Sequence, residues 1–475
     1  MKKFFCLLLV LALVAIPLIS CADDSGKKPS DGNNGDDTKP SGGITDELKL
    51  PTEHKYGGED FNIIYETTKE WNYFELDFDE PSDTDFYANA IYMRNTEVEE
   101  LLDINIVGLS FENAETTMTN FNTDTTGNGQ AYQACFNTIE FTVKSVLAGN
   151  VLSYDELPWV NLDKSWWNTD CTEQLSFAGK SYMNSGDIML SDKECIWAVY
   201  FLKDKIKERN LDNPYDLVAN NEWTWDKMME MADAVHEDAN ADDVMTINSA
   251  DIFGLCTHYE NYAASWMAAG LKLVEVGDDG MPQLAWGSEE FYDVFQDILK
   301  VMTNEMVVSP DNIDWIRDAI KTNKTLFGTE VIAKVRVLRQ SENDFGILPY
   351  PKYNSNVERY NSYIALNSAV VTTSYANNAP EKTSVVLEAM AAYGAKTLLP
   401  EYYDRQLKYR DMNDKESSAM LDIIFEYRAY DLGVFCKWGF SSLTNKDANP
   451  QTLWAANGKT LQKTMEKNLQ LILNR

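Results

Sequence analysis

The chain has 475 residues, is 44% hydrophobic and 12% aromatic, and carries a formal net charge of −34 at pH 7. Its acidic residues are spread along the sequence rather than gathered in a tail, a surface that repels phosphate backbones and excludes nucleic acid as a partner. No Lys/Arg cluster is present to override that field for an anionic ligand, and the body of about 430 residues exceeds one core and suits two lobes.

The N-terminus opens with Met1-Lys2-Lys3, followed by an almost wholly apolar stretch over residues 4–19. Its length and flanks predict a signal peptide over 1–20 rather than a transmembrane span. The segment ends Leu18-Ile19-Ser20-Cys21, which resembles the lipobox of bacterial lipoproteins. That resemblance implies lipidation of Cys21 and attachment to the cell membrane on its extracytoplasmic side. An ordinary cleaved signal with a chance cysteine is the alternative. Residues 22–43 contain no large apolar side chain and cannot bury anything, so 21–50 reads as a lipidated cysteine and a disordered tether. A flexible coil of that composition spans roughly 25 Å.

Strand and helix patterns then alternate. The run Phe61-Asn62-Ile63-Ile64-Tyr65 reads as a buried strand, and residues 85–102 place Ile91, Val98 and Leu102 on one helical face. A second strand begins at Asp103, giving a strand-helix-strand unit and a mainly parallel α/β sheet. A helix near 114–121, a strand near 132–136 and a helix over 142–148 follow. Further on, Thr224 is placed to cap a helix with Trp225, Met228, Met229, Ala232 and Val235 on its apolar stripe. Gly277-Asp278-Asp279-Gly280 marks a hairpin, Ser288 caps the next helix, and another runs from Pro380 to about Tyr393.

Besides Cys21, the mature chain keeps Cys135, Cys171, Cys195, Cys256 and Cys436, an odd number without CxxC spacing. Small buried thiols are the plain reading, with one or two disulfides left open. Only His54, His236 and His258 exist, none in a metal spacing, and no GxSxG stands in the chain. No cofactor and no catalytic group is expected.

The segment VEELLDINIVGLSF, then DELPWVNLDKSWWN (155–168), GDIMLS (186–191), the stretch 197–232 and FGILPYPKYN (345–354) resemble extracellular solute-binding proteins of family 1. These are the receptors of carbohydrate ABC importers. The resemblance implies a two-lobe periplasmic-binding-protein-like α/β fold with discontinuous lobes around a ligand cleft. The first lobe would hold 56–195 plus 355–428, the second 196–354 plus 429–475. It implies a monomeric receptor that closes on a small solute, most of all a mono- or oligosaccharide, and delivers it to ABC permease subunits.

A sugar ring shows a CH-rich face and a rim of hydroxyls, so its cleft needs aromatic platforms beside hydrogen-bonding groups. At the family's cleft elements stand Glu66, Trp71, Asn137, Glu140, Trp197, Glu330, Trp438 and Trp454. Each Trp has burial in a lobe core as its competing role, and the glutamates compete with solvated loop positions. Trp166 and Trp167 read as packing residues that, as sequence neighbours, point apart. A helical glycan-binding outer-membrane lipoprotein, a two-carboxylate lipoprotein glycosidase and, from the acidity, a cationic ligand stay as alternatives.

Overall fold

The computed structural model describes residues 47–66, 86–310, 312–403, 407, 412 and 414–474. In chain order the strands are β1 (Glu59–Glu66), β2 (Ile104–Phe111), β3 (Ala134–Thr138), β4 (Trp197–Leu202), β5 (Phe253–Cys256), β6 (Val274–Val276) and β7 (Pro282–Leu284). They continue with β8 (Val307–Val308), β9 (Thr325–Val331), β10 (Phe345–Leu348), β11 (Ser362–Tyr363), β12 (Ala369–Thr372) and β13 (Arg428–Ala429).

The first sheet has the order β12-β3-β1-β2. β1 pairs in parallel with both β2 and β3, as crossover helices require, while β12 joins β3 antiparallel from far downstream. The crossover between β1 and β2 includes helix Phe86–Leu102, whose Ile91, Val98 and Leu102 are fully buried. That helix packs on helix Pro380–Pro400, which runs past the Tyr393 end expected from its sequence. Gly394 allows the packing there: a Cβ at that position would lie 1.9 Å from the Asp187 carbonyl oxygen. The third element reads slightly differently from its pattern, with the strand at Ala134–Thr138 and the helix starting at Ile139.

The second sheet has the order β10-β4-β9-β5-β8. Every residue of β4 is buried, so its unbroken apolar run WAVYFL suits a strand covered on both faces. It lies antiparallel between β10 and β9, and β5 is parallel to β9 and β8. The caps read from sequence form: Thr224 Oγ1 accepts from the Lys227 N–H and Ser288 Oγ from the Phe291 N–H. β6 and β7 make the expected hairpin.

Between the sheets the chain crosses at residues 195–197, 361–369 and around β13, and these crossings bond to one another. β11 pairs in parallel with β13, and the Ala365 N–H donates to the Cys195 carbonyl at 2.9 Å. A buried polar network anchors them. Asn168 Nδ2 donates to Asp192 (3.0 Å) and to the Tyr430 hydroxyl (2.9 Å). Arg428 pairs with Asp192 at 3.2 Å, and Lys193 bridges Asp192 (2.9 Å) and Asp187 (3.1 Å). Each buried charge thus has an opposite neighbour, the condition under which burial is tolerated.

Three features differ from the sequence reading. Helix Lys415–Glu426, grouped with the first lobe by number, packs on β10 and helix Pro214–Ala219 of the second sheet. The last helix, Pro450–Leu473, touches β7 and also helix Ile139–Leu147 beside the first sheet, so it belongs to neither side alone. Trp166 and Trp167 do pack inside, but they converge. Both indole N–H groups donate to the Glu388 carboxylate, at 3.2 and 2.8 Å. The loop geometry, not simple alternation, sets their directions. All five described cysteines are free thiols, four of them buried, and burial pushes the thiols up. Among the described residues no helix is long and apolar enough to cross a membrane.

Candidate ligand cleft

Strand ends from both sheets meet at one cavity of about 280 Å³. β3 runs directly into helix Ile139–Leu147, which places Glu140 in the first helical turn, where its charge suits the helix dipole. β5 ends at Cys256, and the next residues, His258-Tyr259-Glu260, line the cavity before helix Asn261–Ala268 begins. β9 contributes Glu330 and Val331 at its end. β4 starts beside them because it runs antiparallel, pairing Trp197 with Val331 and Ala198 with Glu330. The crossing segment supplies Ala365, Leu366 and Asn367. Ligands of open α/β sheets sit outside the carboxyl ends of strands where connections diverge, and this cavity occupies such a place.

One side of the cavity is aromatic. The Trp197 and His258 rings stack at 5.5 Å with 13° between planes, and His258 lies against Tyr259 at 4.1 Å. Tyr259 is 45% exposed, unusual for so large a ring, and leaves a free apolar surface at the mouth. Burial pushes the His258 pKa down to about 4, so the imidazole is neutral at physiological pH.

The other side is acidic. Glu140 forms an ion pair with Lys437 at 3.0 Å. Glu330 is wholly buried; Arg317 Nε stands 3.2 Å from its Oε2, and Oε1 accepts from the Val331 N–H at 2.9 Å. Desolvation pushes the Glu330 carboxyl up to about 7, against the lowering pull of Arg317. Glu260 accepts from the Tyr363 hydroxyl (3.2 Å) and the Leu366 N–H (3.3 Å). Burial raises its pKa, and Glu140 adds to the rise through like-charge repulsion.

Three of the residues singled out by sequence therefore come together here: Glu140, Trp197 and Glu330. The others do not. Glu66 closes β1 and is buried opposite Phe111 of β2. Asn137 is fully buried inside the first sheet, where its Nδ2 donates to the Ala114 carbonyl at 2.9 Å and ties a helix start to β3. Trp438, a cleft candidate with core burial as its competing role, is only 3% exposed. The left-handed Gly439 that follows it packs on Trp286 and turns the segment inward. Trp454 meets the same Trp286 edge to face at 4.8 Å, in a contact that joins the last helix to the β7 region. Cys21 and Trp71 lie outside the described residues.

Sequence reasoning missed His258, Tyr259, Glu260 and Asn367. A signal for the first three was present: a polar and aromatic cluster directly after the short buried strand Phe253–Cys256, hence at a strand's carboxyl end. Asn367 carries no comparable mark. Among the described residues no group of three His, Cys, Asp or Glu is placed to hold a metal ion.

No protein-family model matches the chain, and no curated protein is similar to it in sequence. Solved structures are similar in fold. The cyclic α-maltosyl-1,6-maltose binding protein from Arthrobacter globiformis aligns with a TM-score of 0.57 at 10% identity, over 88% of this chain and 98% of that one. A cyclo/maltodextrin-binding protein complexed with maltotetraose aligns at 0.56 and 11% identity, over 87% and 96%. An ABC substrate-binding protein from Listeria monocytogenes in complex with cycloalternan aligns at 0.52 and 11% identity, over 86% and 99%. The fold is that of the two-lobe periplasmic binding proteins.

Proposed function

We propose that the chain is a lipid-anchored extracytoplasmic receptor that binds a sugar between its two lobes and delivers it to an ABC importer. The observation that carries the reading is the convergence of the Trp197–His258–Tyr259 aromatic side with Glu140, Glu260 and Glu330 at one cavity fed by both sheets. Aromatic faces cover the CH surface of a pyranose, and carboxylates accept from its hydroxyls. Its volume, about 280 Å³, lies just below the ~300–1,000 Å³ usual for small-molecule sites. The fold-level neighbours in complex with maltotetraose and cycloalternan agree with a saccharide.

The work is binding and closure without bond chemistry. The ligand touches residues of both sheets, so it favours the state in which they are close, and the bonded crossings at 195–197, 361–369 and β13 absorb the rotation. Glu330 is held in place for this role by Arg317 and the Val331 N–H. The helical-repeat alternative is overturned by the two sheets. Lipid on Cys21 keeps the receptor near its permease, and incorporation of labelled palmitate in cells should disappear in Cys21→Ala.

Calorimetry of the purified chain against a panel of mono- and oligosaccharides tests the solute. At least one sugar should bind, and Trp197→Phe should weaken it. Binding of an amino acid or peptide with no response to any sugar contradicts the proposal.

A further inference from the structure

Glu260 is a cleft carboxylate fastened directly to a crossing. Its Oε2 accepts from the Tyr363 hydroxyl at 3.2 Å and from the Leu366 N–H at 3.3 Å, both within 361–369, while Oε1 takes neither bond. Tyr363 is fully buried behind the cavity and stands in β11 opposite Ala429 of β13. The helix that follows Glu260 is tied to the same crossing at its far end, where Asn361 Nδ2 donates to the Met267 carbonyl at 2.8 Å. Leu366 also reaches the other side of the cleft. Its carbonyl accepts from the Glu140 N–H at 3.4 Å, next to the Ser368 carbonyl that accepts from Ile139 at 2.8 Å. One short piece of crossing thus holds the side chain of one cleft glutamate and the backbone of another.

A free glutamate side chain loses rotamer freedom when a ligand orders it, and that loss subtracts from affinity. At Glu260 the ordering is done in advance by donors that the solute does not touch. We infer that Tyr363 is a positioning residue: from within the crossing it aims Glu260 Oε1 at a solute hydroxyl, so a solute held by Glu260 is also held to the segment that turns on closure. This rests on the sugar-receptor reading above. The titratable groups facing Glu260 are Glu140, His258, Tyr259, Tyr363 and the Cys195 thiol. Burial raises the Glu260 pKa, Glu140 adds to the rise, and the Leu366, Tyr363 and Trp197 donors pull it down. Loss of the Tyr363 hydroxyl therefore raises it further. An ionised acceptor makes the stronger bond to a hydroxyl, so affinity is full above the Glu260 pKa and falls as pH drops through it.

The test uses the full-length chain in a detergent without a sugar headgroup. Titration calorimetry with glucose, galactose, mannose, maltose and maltotetraose selects the tightest binder, whose Kd is then followed against pH. Tyr363→Phe keeps the buried ring and removes only the hydroxyl. It should weaken binding about fivefold at pH 7 and move the acid fall-off in affinity to higher pH. Tyr154→Phe removes an equally buried hydroxyl, bonded to the Val371 carbonyl at 3.0 Å in the first sheet, and should change neither. On a Glu260→Gln background, which has no carboxylate to aim, Tyr363→Phe should cost less than about twofold more. A parent with no acid fall-off, a fall-off that Tyr363→Phe does not move, or a loss undiminished on the Glu260→Gln background overturns the inference and leaves the sugar receptor standing. Binding of none of the five sugars overturns the receptor reading and the inference with it.

Discussion

Two of the molecule's concave regions are of unlike construction. The larger, about 900 Å³, is lined by residues 267–272 and 290–294 beside the second sheet and by the connecting segments 353–361 and 427–429. Its cations have local partners: Lys272 donates to Gln174 at 2.6 Å, and the Arg359 guanidinium lies 3.5 Å from the Tyr427 ring centre. The smaller, about 280 Å³, draws Glu140 from beside the first sheet, Trp197, His258–Glu260 and Glu330 from the second, and Ala365–Asn367 from a crossing. Size therefore does not identify the working site of a hinged protein. A ligand shifts a conformational equilibrium only through contacts that differ between the two states. The smaller region, unlike the larger, has walls from beside both sheets, so occupancy there would act on closure.

Substitutions in the two regions should behave differently, and the largest difference concerns stability. The folded state raises the Glu330 pKa from 4.5 to about 7. Stability from that shift is complete below the unfolded value and is lost as pH rises through the folded one. Glu330→Gln removes the loss, so at pH 8 it should be more stable than the parent by up to about 3 kcal/mol, with little difference at pH 4. Urea unfolding at both pH values measures this. Next, Glu260→Gln should weaken ligand binding by roughly 30-fold, about 2 kcal/mol, while its acceptor oxygen keeps the Tyr363 and Leu366 bonds. Tyr259→Ala, at an exposed ring that supports no core, should cost about 1 kcal/mol, roughly fivefold in Kd. Smallest of all, Arg359→Ala in the larger region should leave affinity within about twofold. A stronger effect of Arg359→Ala than of Tyr259→Ala would invert the comparison.

Much of the fold was legible because its signals are local. The apolar runs at 61–65 and 197–202, the Thr224 and Ser288 caps and the Gly277–Gly280 turn each state their element within a few residues. The site was legible only where an element end carried an unusual side chain, as at Glu140, Trp197 and Glu330. Aromatics mislead because burial and stacking draw on the same residue. Trp438 and Trp454 were credited to the cleft, yet Trp438 is buried and Trp454 packs on Trp286, which also meets the left-handed Gly439 beside Trp438. Asn137 failed for a related reason: the order of strands, with β3 between β1 and β12, buries it, and strand order is a long-range property. The attachment of helix Lys415–Glu426 to the second sheet is likewise a matter of tertiary packing that its own amphipathic pattern does not encode.

The account's central claim is that solute enters the smaller region and draws the two sheets together. Hydrogen exchange of the chain with and without its sugar tests this most directly. The claim predicts slower exchange at residues 139–141, 258–260 and 365–367, with slowed opening of the crossings at 195–197 and 428–430. Residues 353–359 of the larger region should be unchanged. Protection concentrated at 353–359 and absent from 258–260 would contradict it.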